Sequence, residues 1–167
     1  MEFEIAEGRE AEEIYPSDMP AESVAEYLSG LKSETWADAL AEGDLLITAD
    51  TVVIADGEIL GKPADEEDAV RMLRLLSGRE HKVITGVTLR TQTHSESFSC
   101  ESKVRFRQLT DEEIEHYITT YRPFDKAGAY GIQEWIGCTA IESISGSFYN
   151  VMGLPIAALY KQLKQFV

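Results

Sequence analysis

The sequence predicts a mixed α/β fold with a partly antiparallel sheet and flanking helices. Three observations lead there. Four stretches repeat apolar residues at helical spacing, and five runs between them read as strands. The first two strands are joined only by Asp56-Gly57, a hairpin turn and not a crossover. A chain of 167 residues that is 44% hydrophobic holds enough apolar material for one core. No shift of composition marks a second unit, so a single domain over residues 1–167 is expected.

Each element has its own local signal. Pro20 opens the first helix, with Val24, Tyr27, Leu28 and Leu31 at i, i+3, i+4 and i+7 and Gly43 beyond its end. Leu45–Ala55 reads as a strand and Glu58–Leu60 as its hairpin partner. Ala69, Met72, Leu73 and Leu76 mark a second helix, stopped by Gly78. Two further strands follow, His81–Thr91 and Ser97–Phe106. Thr110 with Glu113 is a capping-box pattern ahead of Ile114, Tyr117, Ile118 and Tyr121, the stripe of a third helix. A last strand is expected over Cys138–Ser145, and Ile156, Leu159, Tyr160 and Leu163 give the C-terminal helix.

Composition excludes several classes of function. The net charge is −15, from 15 Lys+Arg against 30 Asp+Glu, which opposes a nucleic-acid backbone as partner. No stretch is long and apolar enough to cross a membrane, and the N-terminus lacks the basic start and apolar core of a secretory signal, so the cytoplasm is the expected compartment. Cys100 and Cys138 form no C-x-x-C pair, and His81, His94 and His116 show no zinc spacing. The cysteines read as small semi-buried thiols. An acidic protein can still bind a phosphorylated small molecule, given a local cluster of lysines and a divalent cation.

Four segments could carry chemistry, and each has a plain structural explanation as well. In Leu45–Val53, Asp50 and Thr51 interrupt a run that otherwise reads as a buried strand. An aspartate satisfied by backbone amides accounts for the segment; in the functional alternative Asp50 binds Mg²⁺ or activates water, with Thr51 beside it as a hydrogen-bonding group. Gly61-Lys62-Pro63 is an adequate turn, or a way of holding an ammonium on a fixed backbone near phosphate oxygens. Phe124–Gln133 is the densest segment: Gly128 and Gly131 permit close backbone approach, Lys126 supplies charge, and Gln133 both donates and accepts toward a base edge. Ser145–Pro155 is a Gly/Ser/Asn-rich lead-in to the last helix that needs no ligand.

Together and in order, these segments resemble the Maf family. The resemblance rests on Asp50-Thr51-Val52-Val53, Gly61-Lys62-Pro63, Leu76-Ser77-Gly78 with His81–Val87, Asp125–Gln133, and Gly146–Val151 with Gly153-Leu154-Pro155, and runs from about Phe3 to the C-terminus. It implies a nucleoside triphosphate pyrophosphatase that cleaves between the α- and β-phosphates with a divalent metal, Mg²⁺ or Mn²⁺. The fold it implies is like that of the inosine triphosphate pyrophosphatases, two lobes around a cleft. Carried over by position, the resemblance makes Asp50 the proton acceptor or metal-side carboxylate and Thr51 a residue linked to substrate choice. It sets Lys62 and Lys126 toward the phosphates, Gln133 in the Tyr-Gly-Ile-Gln segment, Glu13 in an acidic pair near the site, and Lys32 roughly where another site lysine belongs. The Gln133 segment is similar to the branch acting on dTTP and UTP; 7-methyl-GTP is the alternative substrate. A homodimer also suits the family.

One departure stands out. The family opens with a strand ending in a Ser-x-Ser-Pro-Arg-Arg loop whose serine and arginines contact phosphates and base, whereas here Met1 runs directly into Glu2-Phe3-Glu4-Ile5, which matches the family's second strand. The expectation is therefore a domain short at its N-terminus with little or no turnover as it stands. A different class of function follows as the alternative: a catalytically impaired nucleotide- or partner-binding protein tied to cell division.

Overall fold

The computed structural model describes residues 3–6, 9 and 11–166. The elements run α1 (Ala21–Glu34), β1 (Leu46–Ala55), β2 (Glu58–Leu60), α2 (Glu66–Leu76), β3 (Glu80–Arg90), β4 (Ser95–Phe106), α3 (Asp111–Tyr121), a 3₁₀ turn (Ala127–Ala129), α4 (Trp135–Ala140), β5 (Ile141–Ser145), α5 (Phe148–Val151) and α6 (Ile156–Phe166). The strands form one five-stranded sheet of order β2-β1-β3-β4-β5. Every pairing in it is antiparallel, so the expected hairpins extend to the whole sheet.

Several local signals produce the elements they predicted. Asp56 and Gly57 both take positive φ, 49° and 80°, and Ala55 pairs with Glu58, the geometry of a two-residue type I′ hairpin. Both reciprocal bonds of the Thr110–Glu113 capping box are made. Arg107 adds a two-pronged pair to the same carboxylate, at 2.8 and 2.9 Å, and with it the Glu113 carboxyl is held down at about 2. Gly78 ends α2 in the left-handed region, at φ 71°, and all four residues of the α2 stripe are buried.

α1 lies on one face of the sheet and α6 on the other, because alternate residues of a strand point to opposite faces. Val52, Ile54 and Ile84 meet Val24, Ala25 and Leu28 of α1. Val87 and Leu89 meet Leu159 and Leu163 of α6, while Val53, Val83, Val104 and Phe106 join α2, α3 and α4 in the largest cluster. His81 is buried beside Phe106 and Tyr130, and burial pushes its imidazole down to about 4, leaving it neutral at pH 7.

The buried face of α1 keeps Val24, Leu28 and the half-buried Leu31 of the expected stripe but is turned away from Tyr27 toward small residues. Val24, Ala25, Leu28, Ser29 and Ser33 are buried, while Tyr27 is exposed. Ala25, Ser29 and Ser33 recur every fourth residue, and this stripe of small side chains lets the helix lie close on the strands. The Ser29 hydroxyl bonds the Thr88 hydroxyl at 2.8 Å, and the Thr48 hydroxyl donates to the Ser29 carbonyl at 2.7 Å. The strand side of the approach is Gly86, where an added Cβ would fall 2.3 Å from backbone atoms of Ala25 and Glu26.

Three further expectations change. Cys138-Thr139-Ala140 close a helix, and β5 begins only at Ile141. A six-residue helix is too short to display a period. In it Gly137 packs where a Cβ would collide with the Ile132 carbonyl. On α6 only Leu159 and Leu163 of the predicted stripe are buried; Ile156 and Tyr160 are exposed. Phe3–Ala6, matched above to a family strand, carry no strand structure, and Phe3 and Ile5 are exposed; Met1 and Glu2 lie outside the described residues. Cys100 is half-buried, whereas Cys138 is exposed.

Candidate active site

β1 brings the first two site residues to one place from opposite faces. Asp50 shares a parity, and so a face, with Val52 and points toward α1; Thr51 points the other way. Among the described residues β2 pairs only with Val53–Ala55, so the outer edge of β1 from Leu46 to Val52 has no strand beside it and both side chains reach the cavity along it. The cross-strand neighbour of Asp50 is Gly86. With no side chain there, α1 comes close enough for Lys32, in its last turn, to bond Asp50 Oδ1.

Lys32 Nζ touches two carboxylates, Asp50 Oδ1 and, at 3.1 Å, Glu13 Oε1. Lys62 Nζ approaches the same Glu13 oxygen at 3.6 Å. The Asp50 side chain is only 9% exposed. Burial raises its carboxyl above the usual aspartate value, and Lys32 offsets this only in part. For Lys32 the balance is reversed: burial works to lower it, but Asp50 and Glu13 outweigh burial and hold the ammonium charged. Burial likewise works to raise Glu13, and the two lysines outweigh it.

A second cationic centre faces the first. Lys126 Nζ bonds Asp125 Oδ1 at 2.8 Å and Glu134 Oε1 at 3.2 Å. Gly128, at φ 68°, lets the chain turn tightly over Val53, and its amide donates to the Gly61 carbonyl at 3.0 Å, joining this loop to the Lys62 turn. Gln133 is exposed on the rim.

Thr51 belongs to a hydroxyl chain of fixed direction. The Thr85 hydroxyl donates to the Asn150 carbonyl at 2.8 Å and lies 2.8 Å from the Thr51 hydroxyl. With the Thr85 proton committed, the Thr51 hydroxyl must donate to Thr85, and its lone pairs are left for the cavity. Asn150, fully buried, donates its amide to the Val83 carbonyl and the Ser102 hydroxyl at 3.1 and 3.0 Å, anchoring the Ser145–Pro155 segment.

All seven side chains singled out from the sequence, Glu13, Lys32, Asp50, Thr51, Lys62, Lys126 and Gln133, line one cavity of about 390 Å³. Tyr15, Asp125, Tyr130, Met152 and Gly153 are also part of its wall. Glu12, the other half of the acidic pair, does not line it. Three lysines and three carboxylates face the cavity, so its charge is balanced and a triphosphate would meet no surplus of positive charge. Among the described residues no group of three or more His, Cys, Asp and Glu is placed to hold a metal. Glu13 and Asp50 nevertheless converge on one point, now filled by Lys32 Nζ, and two hard carboxylates completed by substrate oxygens and water suit Mg²⁺ or Mn²⁺.

Sequence reasoning missed three residues that organise this wall. Thr85 faces Thr51 through the β1–β3 register, which no local pattern displays. Tyr117 donates to Glu134, yet reads in sequence as one more core residue of α3. Glu134 itself was legible only as a charge next to Gln133.

Comparison with known proteins gives the family. A family model described as Maf-like protein matches residues 1–166. A dTTP/UTP pyrophosphatase of Porphyromonas gingivalis is 55% identical over 156 residues, covering 92% of this chain and 78% of that protein. Proteins of the same name from Bacteroides thetaiotaomicron and Parabacteroides distasonis are 51% and 46% identical, covering 93% and 99% of this chain and 81% and 86% of their own lengths. With a family model matched over that range, and relatives near half identity across nine-tenths of its length, the chain belongs to the Maf-like protein family.

Proposed function

We propose that the chain, as one domain, hydrolyses nucleoside triphosphates, dTTP and UTP foremost, to the nucleoside monophosphate and pyrophosphate. The observation that carries this reading is the 55% identity over 92% of the chain to a dTTP/UTP pyrophosphatase. The cavity supplies fitting chemistry. At about 390 Å³ it is within the range of small-molecule sites. The net charge of −15 favours a small phosphorylated substrate over a nucleic-acid backbone. Among the described residues no helix is long and apolar enough to cross a membrane. A cytoplasmic nucleotide pool fits as the source of substrate.

In this reading Asp50 is the general base. Lys32 binds Oδ1, so Oδ2 receives the proton of a water whose oxygen forms a bond to the α-phosphorus. The bond from that phosphorus to the α–β bridging oxygen breaks, and pyrophosphate departs with the electron pair. Burial raises the proton affinity of Asp50, which suits a base, and Lys32 works against that rise. Lys62 and Lys126 meet the phosphate charge, and Thr51 and Gln133 face the base. A divalent cation, Mg²⁺ or Mn²⁺, supplies when bound the positive charge that the balanced lining lacks. Glu13 and Asp50 would hold it through the oxygens that otherwise face Lys32, leaving Asp50 Oδ2 to receive the proton, and Lys32 would be free to turn to the phosphates.

The test is pyrophosphate release from dTTP, UTP and 7-methyl-GTP, each with Mg²⁺ or Mn²⁺ and with EDTA. Turnover of dTTP and UTP that EDTA abolishes is expected, against the little or no turnover that the sequence alone led to, because the identity to dTTP/UTP pyrophosphatases runs over nine-tenths of the chain. Turnover that survives chelation would remove the metal from the mechanism, and hydrolysis of 7-methyl-GTP alone would overturn the pyrimidine reading.

A further inference from the structure

Lys126 has two carboxylate partners of different character. Asp125 is 75% exposed, and an ion pair at such a position contributes little to holding a side chain. Glu134 is 18% exposed and is itself held. Its second oxygen, Oε2, accepts the hydroxyl proton of Tyr117, a side chain with no exposed surface. The Tyr117 oxygen in turn accepts the Gly131 amide at 3.0 Å. The bonds therefore run in one direction, from the Gly131 amide to Tyr117 to Glu134, while Lys126 closes on the other oxygen of the same carboxylate. Gly131 provides the space for this arrangement: an added Cβ would sit 3.0 Å from both Glu134 Cδ and Lys126 Cε.

We propose that Glu134, clamped by Tyr117, is a positioning residue that sets Lys126 for the substrate's phosphates. The proposal rests on the reading of Lys126 as a phosphate-facing lysine. When a phosphate arrives, it replaces the exposed Asp125 beside Nζ, whereas Glu134 stays because Tyr117 holds it. The lysine is thus presented in one place. Without that carboxylate it would sample its several rotamers and lose that freedom on binding. The same clamp fixes the Gly131 amide, and with it the turn that carries Gln133 to the rim.

The experiment is a double-mutant cycle between Glu134→Gln and Lys126→Gln. The full chain is titrated calorimetrically with α,β-imido-dUTP and Mg²⁺, an analogue whose α–β link cannot be hydrolysed, and melting temperatures are recorded alongside. In the unmodified background, E134Q is expected to weaken binding on the order of tenfold, within the coupling range of contacting residues. In the Lys126→Gln background it is expected to change binding by less than about twofold, since nothing is left to position. Equal losses in both backgrounds would show that Glu134 acts by supporting the fold, and would overturn the proposal. No loss from E134Q alongside a large loss from Lys126→Gln would overturn it too, leaving Lys126 as a ligand that needs no positioning. No loss from Lys126→Gln would sink the assignment of Lys126 itself. Tyr117→Phe is the second arm, for use if E134Q melts far below the parent. It leaves the carboxylate but removes its clamp, and a loss of about threefold that vanishes in the Lys126→Gln background is expected, with persistence there counting against the proposal.

Discussion

Replacing Gly86 by alanine should disturb fold and site together. The new Cβ would lie 2.3 Å from the carbonyl carbon and oxygen of Ala25 and from Glu26 Cα. Carbon atoms approach to roughly 3.5 Å at best, so α1 would have to withdraw by about 1.2 Å. Backbone cannot rotate away as the end of a side chain can. A withdrawal of that size breaks the 2.8 Å Ser29–Thr88 bond and the 2.7 Å Thr48–Ser29 bond, at about 1 kcal/mol each. Overpacking adds about 1–3 kcal/mol. The sum is about 3–5 kcal/mol, or roughly 10 °C of melting temperature for a chain of this size. Lys32 rides on α1, so its bond to Asp50 should loosen as well. Thermal unfolding followed by circular dichroism reads the first effect, and the Kd for α,β-imido-dUTP with Mg²⁺ reads the second. Gly30→Ala is the contrast: it lies inside α1, and its added Cβ would be 4.0 Å from the Thr88 hydroxyl, an ordinary contact. That variant should be stabilised by up to about 1 kcal/mol. A Gly86→Ala protein melting within about 2 °C of the parent would refute the idea that the close approach at Gly86 sets the position of α1.

Other expectations follow from single groups. Asp50→Asn, nearly isosteric, should keep the fold while cutting turnover on the order of a hundredfold or more; near-normal pyrophosphate release would remove Asp50 as the base. In the metal-free protein burial raises the Asp50 carboxyl, so its titration followed by NMR in EDTA should lie above the ordinary aspartate value. A titration at or below that value would contradict this. Glu113 has its pKa depressed to about 2, so its contribution to stability is present above its unfolded value and is lost as pH falls through about 2. Because Arg107 and Glu113 are about a third exposed, the pair and the cap together should be worth only about 1–2 kcal/mol. Glu113→Ala should lower stability by that amount at pH 7, measured by urea unfolding, and a loss below about 0.3 kcal/mol would show that solvent has screened the pair away.

What the sequence alone determined is what depends on near neighbours. The hairpin at Asp56-Gly57, the Thr110–Glu113 cap, the stop at Gly78 and the α2 stripe each rest on residues within a few positions of one another, where local sterics and hydrogen bonding decide. The seven candidate residues were singled out by a different route, the ordered resemblance of separate segments, and the fold gathers them into one cavity. Tertiary structure decided whatever depends on distant partners. α1 presents Ala25, Ser29 and Ser33 to the sheet, and not Tyr27, because a glycine in β3 lets the backbones meet. Thr51 became an acceptor because antiparallel register set Thr85 opposite it and the short helix α5 brought the Asn150 carbonyl to Thr85. Glu134 acquired a role because Tyr117, on another helix, reaches its second oxygen. A side chain's charge and shape are properties of the sequence, but the direction of its hydrogen bonds and its exposure to water depend on what is packed against it. That is settled only when the chain is folded.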